Sequence, residues 1–402
     1  MLDLLFTYRV KFYNFFLNET LKQKGKLWRL KVPGQPVVVM LTTPEASEHM
    51  LKANFDDFDK GPRFWTTMED ILGNGIFIMM HDMMEQSVIE YTTILCERFD
   101  QISANNEVVN FKRLLDTFAM EIFSKIGFGI ELNGLKSDEN KAFAGDAFER
   151  ASRNLFVRYQ LPIWFWKLKK WLNIGSERVM AEDHDKQQST GRDLISLFLD
   201  KEANKYANGE TPKTDTPLIR DMAISSPTAS RDTTSQSMMW LILALNRHPH
   251  ALKTIREELR DVQQLTYLEA AIRENLHLNS VVANNSRMSV HDRGAIGLRA
   301  CPLTVGLGRQ RGRVQSRAWI DAETGKLIQV SLTKSQAFLS GPRTCVGMNF
   351  ALMEMKIAVA TVLSKFDVKT VKDPFDFTYH ATVTMAIKGP VDVAVTSLAL
   401  KN

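Results

Sequence analysis

The sequence predicts a mainly α-helical fold with a small β-rich lobe. Three observations carry the prediction. Apolar residues recur at helical spacing over Val109 to Ile126, Phe143 to Tyr159, Asp193 to Lys205 and Leu252 to Leu276, the period of one buried helix face. Strand-like runs gather near the two ends of the chain, each interrupted by a turn. A loop with a lone cysteine, Cys345, leads straight into an apolar helix, Met348 to Leu363.

Met1 to Leu17 is rich in Leu, Phe and Tyr but carries Asp3, Arg9 and Lys11. It is too polar to span a bilayer and lacks a signal-peptide cleavage pattern. A first core helix is the favoured reading, and an amphipathic helix lying on a membrane the second. Leu27 to Val32, Gly34-Gln35 and Val37 to Leu41 read as a hairpin. Thr43-Pro44-Glu45 then starts a helix, with a hydroxyl cap and a proline in the first turn. Trp164, Trp166 and Trp171 alternate with Lys167, Lys169 and Lys170. Core packing with the lysines in water is favoured over contact with a membrane or a substrate mouth. Ala207 to Pro217 is a polar loop. Ser286 to Asp321 is irregular and arginine-rich. Phe377 to Ile387 alternates as a strand, Lys388-Gly389-Pro390 turns, and Val391 to Val395 returns. There is no internal repeat.

At 402 residues the chain can bury a large core. A net charge of +5 suits an acidic protein partner or an anionic membrane surface and does not point to nucleic acid. Three cysteines, Cys96, Cys301 and Cys345, form no disulfide framework and fit a reducing compartment.

The chemistry is concentrated in Phe338-Leu-Ser-Gly341-Pro-Arg343-Thr-Cys345-Val-Gly347. Gly341 and Gly347 let the backbone turn where a Cβ would clash, or let something flat approach. Cys345 precedes a helix N-terminus, whose free N–H groups and dipole favour thiolate over thiol. One thiolate suits haem iron better than zinc, which takes three or four protein ligands. Arg343 can meet a haem propionate as a charge-assisted pair, and Phe338 can pack beside the sulfur. A buried free cysteine would account for Cys345 but not for the glycines and arginine with it.

This loop resembles the haem-thiolate signature of the cytochrome P-450 monooxygenases. Three further segments carry the resemblance: Ala229-Ser-Arg-Asp232-Thr233-Thr234, Tyr267 to His277, and Ala351-Leu-Met-Glu354-Met-Lys356. Asn54 to Phe64 and Leu72 to Phe77 look like the eukaryotic branch that hydroxylates long-chain fatty acids and alkanes near the chain terminus. The resemblance implies one domain, 1–402, with a β-rich part at about 27–60 and a helical core holding haem b (iron protoporphyrin IX) at about 85–365. It implies that Cys345 is the axial iron ligand, and that Phe338, Gly341, Arg343, Gly347 and Arg287 surround or hold the cofactor. Asp232 and Thr233 then form the catalytic pair, since a carboxylate beside a hydroxyl can relay protons.

Several positions depart from the family pattern. Ser230 stands where the family has glycine, and Pro227 lies a turn upstream, where its ring would clash inside a helix. The central helix is therefore expected to break or to start late. The family's buried Glu-x-x-Arg network, which holds the cysteine loop, is represented by Glu274 and His277. Histidine does not replace a bidentate, always-charged guanidinium. A second arginine of that network falls at Ala318, and the segment around Ser316 to Asp321 is short. After Ile78 the tryptophan and arginine that bind propionates are missing. Poor haem retention or low stability is expected.

Electrons are expected from NADPH through a flavoprotein reductase, docking near Arg309, Arg311, Arg313 and Arg317. The resemblance further implies a lipid substrate, a monomer, and the cytosolic face of the endoplasmic reticulum membrane. The chain shows no transmembrane anchor, so a cytoplasmic or peripheral protein is the expectation. Val281 to Asn284 and Ala381 to Met385 are candidates for the substrate pocket. Fatty-acid hydroxylation is the first reading. A non-catalytic haem-binding or haem-free remnant is the alternative. A haem-thiolate isomerase is a third, against which Asp232-Thr233 argues.

Overall fold

A computed structural model of the chain describes residues 12–24, 26–31, 37–61, 66, 84–136, 153–158, 161–179, 181–182, 227–261, 265–283, 285–289, 297–300, 316–332 and 335–398. They belong to two compact units. One is drawn from 1–61, 99–112 and 236–402, the other from 62–98 and 113–235. Helices dominate both, with small sheets in the first, as the periodicity predicts.

The first unit opens with helix α1 (Phe12–Lys22), which buries Tyr13, Phe15, Phe16 and Leu17. The Phe16 ring stacks on Trp28 with centroids 6.1 Å apart. From Phe12 onward the core-helix reading holds, while residues 1–11 lie outside the described part. Strands β1 (Trp28–Leu30) and β2 (Val38–Leu41) pair antiparallel as the expected hairpin. Thr43 caps α2 (Pro44–Glu48), its hydroxyl accepting from the Ala46 N–H at 3.2 Å. A π-helical turn, His49–Ala53, comes directly after it.

These strands belong to a five-stranded sheet, β1-β2-β6-β5-β3, with β3 at Phe58–Asp59, β5 at Asn285–Ser289 and β6 at Gly297–Ala300. The sequence reading expected Ser286 onward to be irregular, and β5 and β6 correct it. Their polar residues carry little strand preference. Pairing of β6 with β2 on one side and β5 on the other supplies the structure instead.

Helix α4 (Phe111–Phe128) begins two residues later than the periodicity suggested, because Val108–Asn110 is spent as strand β4 against β10 (Asp392–Ser397). Leu252 to Leu276 is two helices, α7 (Pro249–Asp261) and α8 (Thr266–Leu278). The Glu258 carboxylate accepts the Tyr267 and Leu268 N–H groups at 2.7 and 2.9 Å. It thereby satisfies orphan donors of the second helix.

Helix α9 (Met348–Lys365) lies against both. Lys356 pairs with Glu269 of α8 at 2.6 Å, and Arg256 of α7 reaches Asp367 at 2.9 Å, at the start of β7 (Phe366–Thr370). The C-terminal hairpin also differs from expectation. Strand β8 (Tyr379–Ala381) turns back on β9 (Met385–Ile387), and β10 pairs with β7 and β4 instead. The Thr382 hydroxyl closes the tight turn on Thr384, which makes the reversal expected at Lys388–Pro390 unnecessary for pairing.

The second unit holds residues 84–98 of α3 (Met84–Asn105), most of α4, and α5 (Ile163–Trp171). Arg158 and Glu177 form a buried ion pair at 2.6 Å, with the guanidinium over Trp166 at 4.8 Å. Of the three tryptophans only Trp166 is core; Trp164 and Trp171 are 66% and 80% exposed. The expected core stripe is thus corrected. A nine-residue helix buries one narrow face, and Trp164 and Trp171 fall on the other. The remaining unit-two expectations at Phe143 to Tyr159 (apart from helical 153–158), Asp193 to Lys205 and Ala207 to Pro217 lie outside the described residues. Among the described residues no helix is long and apolar enough to cross a membrane.

Candidate active site

The cysteine loop is built from two 3₁₀ turns, Gln336–Phe338 and Gly341–Arg343, ahead of α9. The Cys345 N–H donates to the Phe338 carbonyl at 2.9 Å, and the Met348 N–H to the Cys345 carbonyl at 3.2 Å. Both bonds hold the sulfur-bearing residue between fixed points. Gly341 has φ +74°, and a Cβ there would sit 2.0 Å from the Leu51 carbonyl oxygen. Its glycine therefore serves backbone approach to the 49–53 turn. A Cβ at Gly347 would lie 4.0 Å from the Cys345 sulfur, so this glycine keeps the space beside the thiol open.

Cys345 itself is a free, exposed thiol. The protein around the sulfur nevertheless strips enough water to push the thiol above its ordinary range, and the Gly347 N–H pulls it back only in part. This burial opposes the thiolate that the sequence suggested the helix end would favour. The helix N-cap is Gly347, two residues further on, and the dipole effect fades within about one turn. The loop presents a thiol that a bound cation would have to ionise. Phe338 contributes its backbone carbonyl here, where the sequence suggested its ring.

Three cations converge beside this loop. Lys60 Nζ and Arg287 Nη1 both donate to Asn285 Oδ1, at 2.9 and 3.0 Å. Arg287 is buried. Arg343 lies over the Phe55 ring at 5.4 Å and reaches Asp59 at 4.0 Å. Burial, then repulsion from Arg287 and Arg343, lowers Lys60 to about 7, against a smaller opposing pull from Asp59. Burial and Arg343 lower Arg287 to about 10. A surplus of positive charge is held where an anion would relieve it. Arg287 and Arg343, which the sequence reading named together, lie close enough to repel each other, and Lys60 is a third member that it did not name. Its signal was a lysine between Asp59 and Gly61, at the end of a strand that pairs with β5.

Glu274 is fully buried on α8 and accepts from Trp319 Nε1 at 2.8 Å. His277 lies one turn on, also buried, edge-on to Trp319 with centroids 6.2 Å apart. Ala318, where the second arginine was sought, is exposed in the 3₁₀ turn Ser316–Trp319.

Asp232 and Thr233 lie in the second unit, at the junction between a π-helical turn, Pro227–Asp232, and α6 (Thr233–Arg247). Thr233 Oγ1 donates to the Ala229 carbonyl at 2.5 Å. Asp232 is 3.9 Å from Arg231, which pairs with Asp116 of α4 at 3.1 Å. The residues ahead of Pro227 lie outside the described part. The candidate pocket segments meet within the first unit, where the Met385 N–H donates to the Val281 carbonyl at 2.7 Å. Of the arginines offered for docking, Arg317 is exposed, and Arg309, Arg311 and Arg313 lie outside the described residues, as does Leu72 to Phe77.

An exposed single thiol, a glycine-opened space beside it and an adjacent cluster of three cations fit a flat metal macrocycle bearing two carboxylates. Among the described residues no three or more His, Cys, Asp or Glu gather as a metal cage.

The Cytochrome P450 family model matches residues 4–294 and 321–391. The break between the two matched stretches holds the segment that the sequence shows as shortened. Similar proteins include Cytochrome P450 CYP94D108 of Paris polyphylla, 26% identical over 88% of this chain and 83% of its own length. Cytochrome P450 94A1 of Vicia sativa is 25% identical over 82% of this chain and 76% of its own. Alkane hydroxylase MAH1 of Arabidopsis thaliana is 24% identical over 88% and 83%.

Proposed function

The chain belongs to the cytochrome P450 family, and from that premise we propose that it is a haem-thiolate monooxygenase that hydroxylates a fatty acid or similar long-chain lipid. The overall change is RH + O₂ + two electrons + two protons giving ROH + H₂O. The observation that carries the proposal is the exposed Cys345 thiol on a loop flanked by the Lys60, Arg287 and Arg343 cluster. The lipid substrate is supported by the likeness to a protein named alkane hydroxylase.

Haem b, when bound, supplies the iron centre that takes up electrons and activates dioxygen, thiolate ligation favouring O–O cleavage. Cys345 would hold the iron as its thiolate. Arg287, Arg343 and Lys60 would hold the propionate carboxylates as charge-assisted pairs. Gly341 fixes the loop to the 49–53 turn, and Gly347 leaves room beside the sulfur. Asp232 holds the proton to be delivered, and the Thr233 hydroxyl passes it on. Val281 and Met385 line the substrate side. Electrons come from NADPH through a flavoprotein reductase, for which the exposed Arg317 is one docking charge.

In this reading residues 1–402 act as one functional domain, since the family match runs through both units. The exposed side of α5, Trp164 and Trp171 with Lys167 and Lys170, makes a peripheral contact with the endoplasmic reticulum membrane. A remnant that no longer turns over is the second reading. His277 and the exposed Ala318 favour it, because no second arginine reaches Glu274 through those positions.

The reduced protein under carbon monoxide tests the proposal. A strongly red-shifted band, absent from Cys345→Ala, is the expected result. No such band from the unaltered protein would establish the remnant.

A further inference from the structure

Arg231 and Ser235 stand one turn apart on one side of the helix that opens at Pro227. Both grip the same carboxylate on α4. Arg231 Nη2 meets Asp116 Oδ2 at 3.1 Å, and Ser235 Oγ donates to Asp116 Oδ1 at 2.6 Å. All three side chains are buried. Between them in sequence sit Asp232 and Thr233, which cannot share their direction, because neighbours on a helix do not face the same way.

This grip does two things. It fixes the rotation of the turn about its own axis, and so aims Asp232 and Thr233 away from α4. It also occupies the Arg231 guanidinium. Asp232 is held at 3.9 Å from Arg231 Nε, looser than the 3.1 Å of the Asp116 pair. The guanidinium is therefore committed to α4 rather than to its neighbour in sequence.

We propose that Asp116 is a positioning residue for the Asp232–Thr233 pair, fixing the rotation of their turn through Ser235 and Arg231 and keeping the Arg231 guanidinium on α4 rather than against Asp232. The inference rests on the functional reading above and deepens it. The π-helical turn agrees with it, since such turns recur where a helix is bent to a functional purpose.

The test compares Asp116→Asn, Asp116→Glu and the double variant Asp116→Leu with Arg231→Leu. Each is reconstituted with reductase and a long-chain fatty acid, and the electrons recovered as product are counted against those lost as hydrogen peroxide. Haem content and the carbon monoxide band are recorded for each, with amide hydrogen exchange over 227–240. In Asp116→Asn, Arg231 turns to Asp232, and the peroxide share should rise severalfold while the carbon monoxide band is kept. Asp116→Glu should restore coupling. The double variant should also regain it in part, because no guanidinium is left to capture Asp232. Unchanged coupling in Asp116→Asn would overturn the proposal. So would a loss of coupling that neither Asp116→Glu nor the double variant relieves, which marks a merely structural role. If Asp116→Asn fails to fold, the double variant decides: good coupling supports the proposal, and poor coupling in a well-folded protein overturns it. A wild type without the carbon monoxide band overturns the functional reading itself and this inference with it, and that outcome is seen before any variant is made.

Discussion

Trp319 Nε1 donates to Glu274 Oε2 at 2.8 Å inside the first unit, with both side chains buried. A fully buried carboxylate is tolerated only where donors meet it. The indole is one such donor, supplied by the short segment that the family match leaves out at its N-terminal side and resumes within two residues. Trp319→Phe keeps the ring packing against His277 and deletes the N–H. The expected cost is about 0.5–1.5 kcal/mol, the net worth of one hydrogen bond, with a lower melting temperature and less bound haem. Trp319→Phe melting with the unaltered protein would show that Glu274 is satisfied elsewhere.

Lys60 gives a pH dependence with a definite sign. Its folded value of about 7 lies well below the ordinary 10.5 of a lysine. Between those two pH values the unfolded chain binds more protons, so stability contributed by this group rises with pH across that window. Below about 7 its penalty is present in full. Lys60→Met should therefore raise the melting temperature of protein without added haem by a few degrees at pH 6. The gain should shrink as pH climbs toward 10. The same variant should bind haem less tightly, because one cation facing the propionates is gone. A pH-independent difference would place the burial of Lys60 elsewhere than in this cluster.

Much of this was open to reading in the sequence because it is local. The hairpin at β1 and β2, the Thr43 cap and the cysteine loop each depend on residues within a few positions of one another. The errors came where distant segments decide. Val109 and Asn110 looked helical in register with α4 and belong to a strand because β10 offers it hydrogen bonds. Asn285–Ser289 has little strand character of its own and is a strand because it lies between β6 and β3. The site divides the same way. Cys345, Arg343 and Gly341 announce themselves by spacing, whereas Lys60 and Trp319 join through pairings 225 and 45 residues apart. At Cys345 two effects oppose each other, desolvation of the sulfur raising the thiol and the Gly347 N–H lowering it.

Gly341 tests the frame of the cysteine loop. At φ +74° any L side chain is strained, and a Cβ would meet the Leu51 carbonyl oxygen at 2.0 Å, a backbone atom that cannot rotate away. Gly341→Ala carries about 1–2 kcal/mol for the backbone alone, and the loop must also lift from the 49–53 turn. Haem content should fall further than the melting temperature does, because the lift displaces Cys345 directly. Retention of haem at the wild-type level would show that the loop is positioned by α9 alone.

The exposed side of α5 supplies the last prediction. Trp164, Phe165, Leu168, Trp171 and Leu172 are all exposed and recur at one-face helical spacing, while Trp166 is clamped beneath Arg158 and Glu177. Tryptophan and lysine on one surface suit the boundary of an anionic bilayer, where the rings bury their apolar parts and the ammonium groups meet lipid phosphates. Replacing Trp164 and Trp171 together with serine removes the two largest exposed rings and touches no described hydrogen bond or buried contact, so the melting temperature should hold. Sedimentation with vesicles of mixed neutral and anionic phospholipid should fall at least severalfold, and added salt should weaken what binding the unaltered protein shows. Equal sedimentation of the two proteins would mean that this surface is not what meets the lipid.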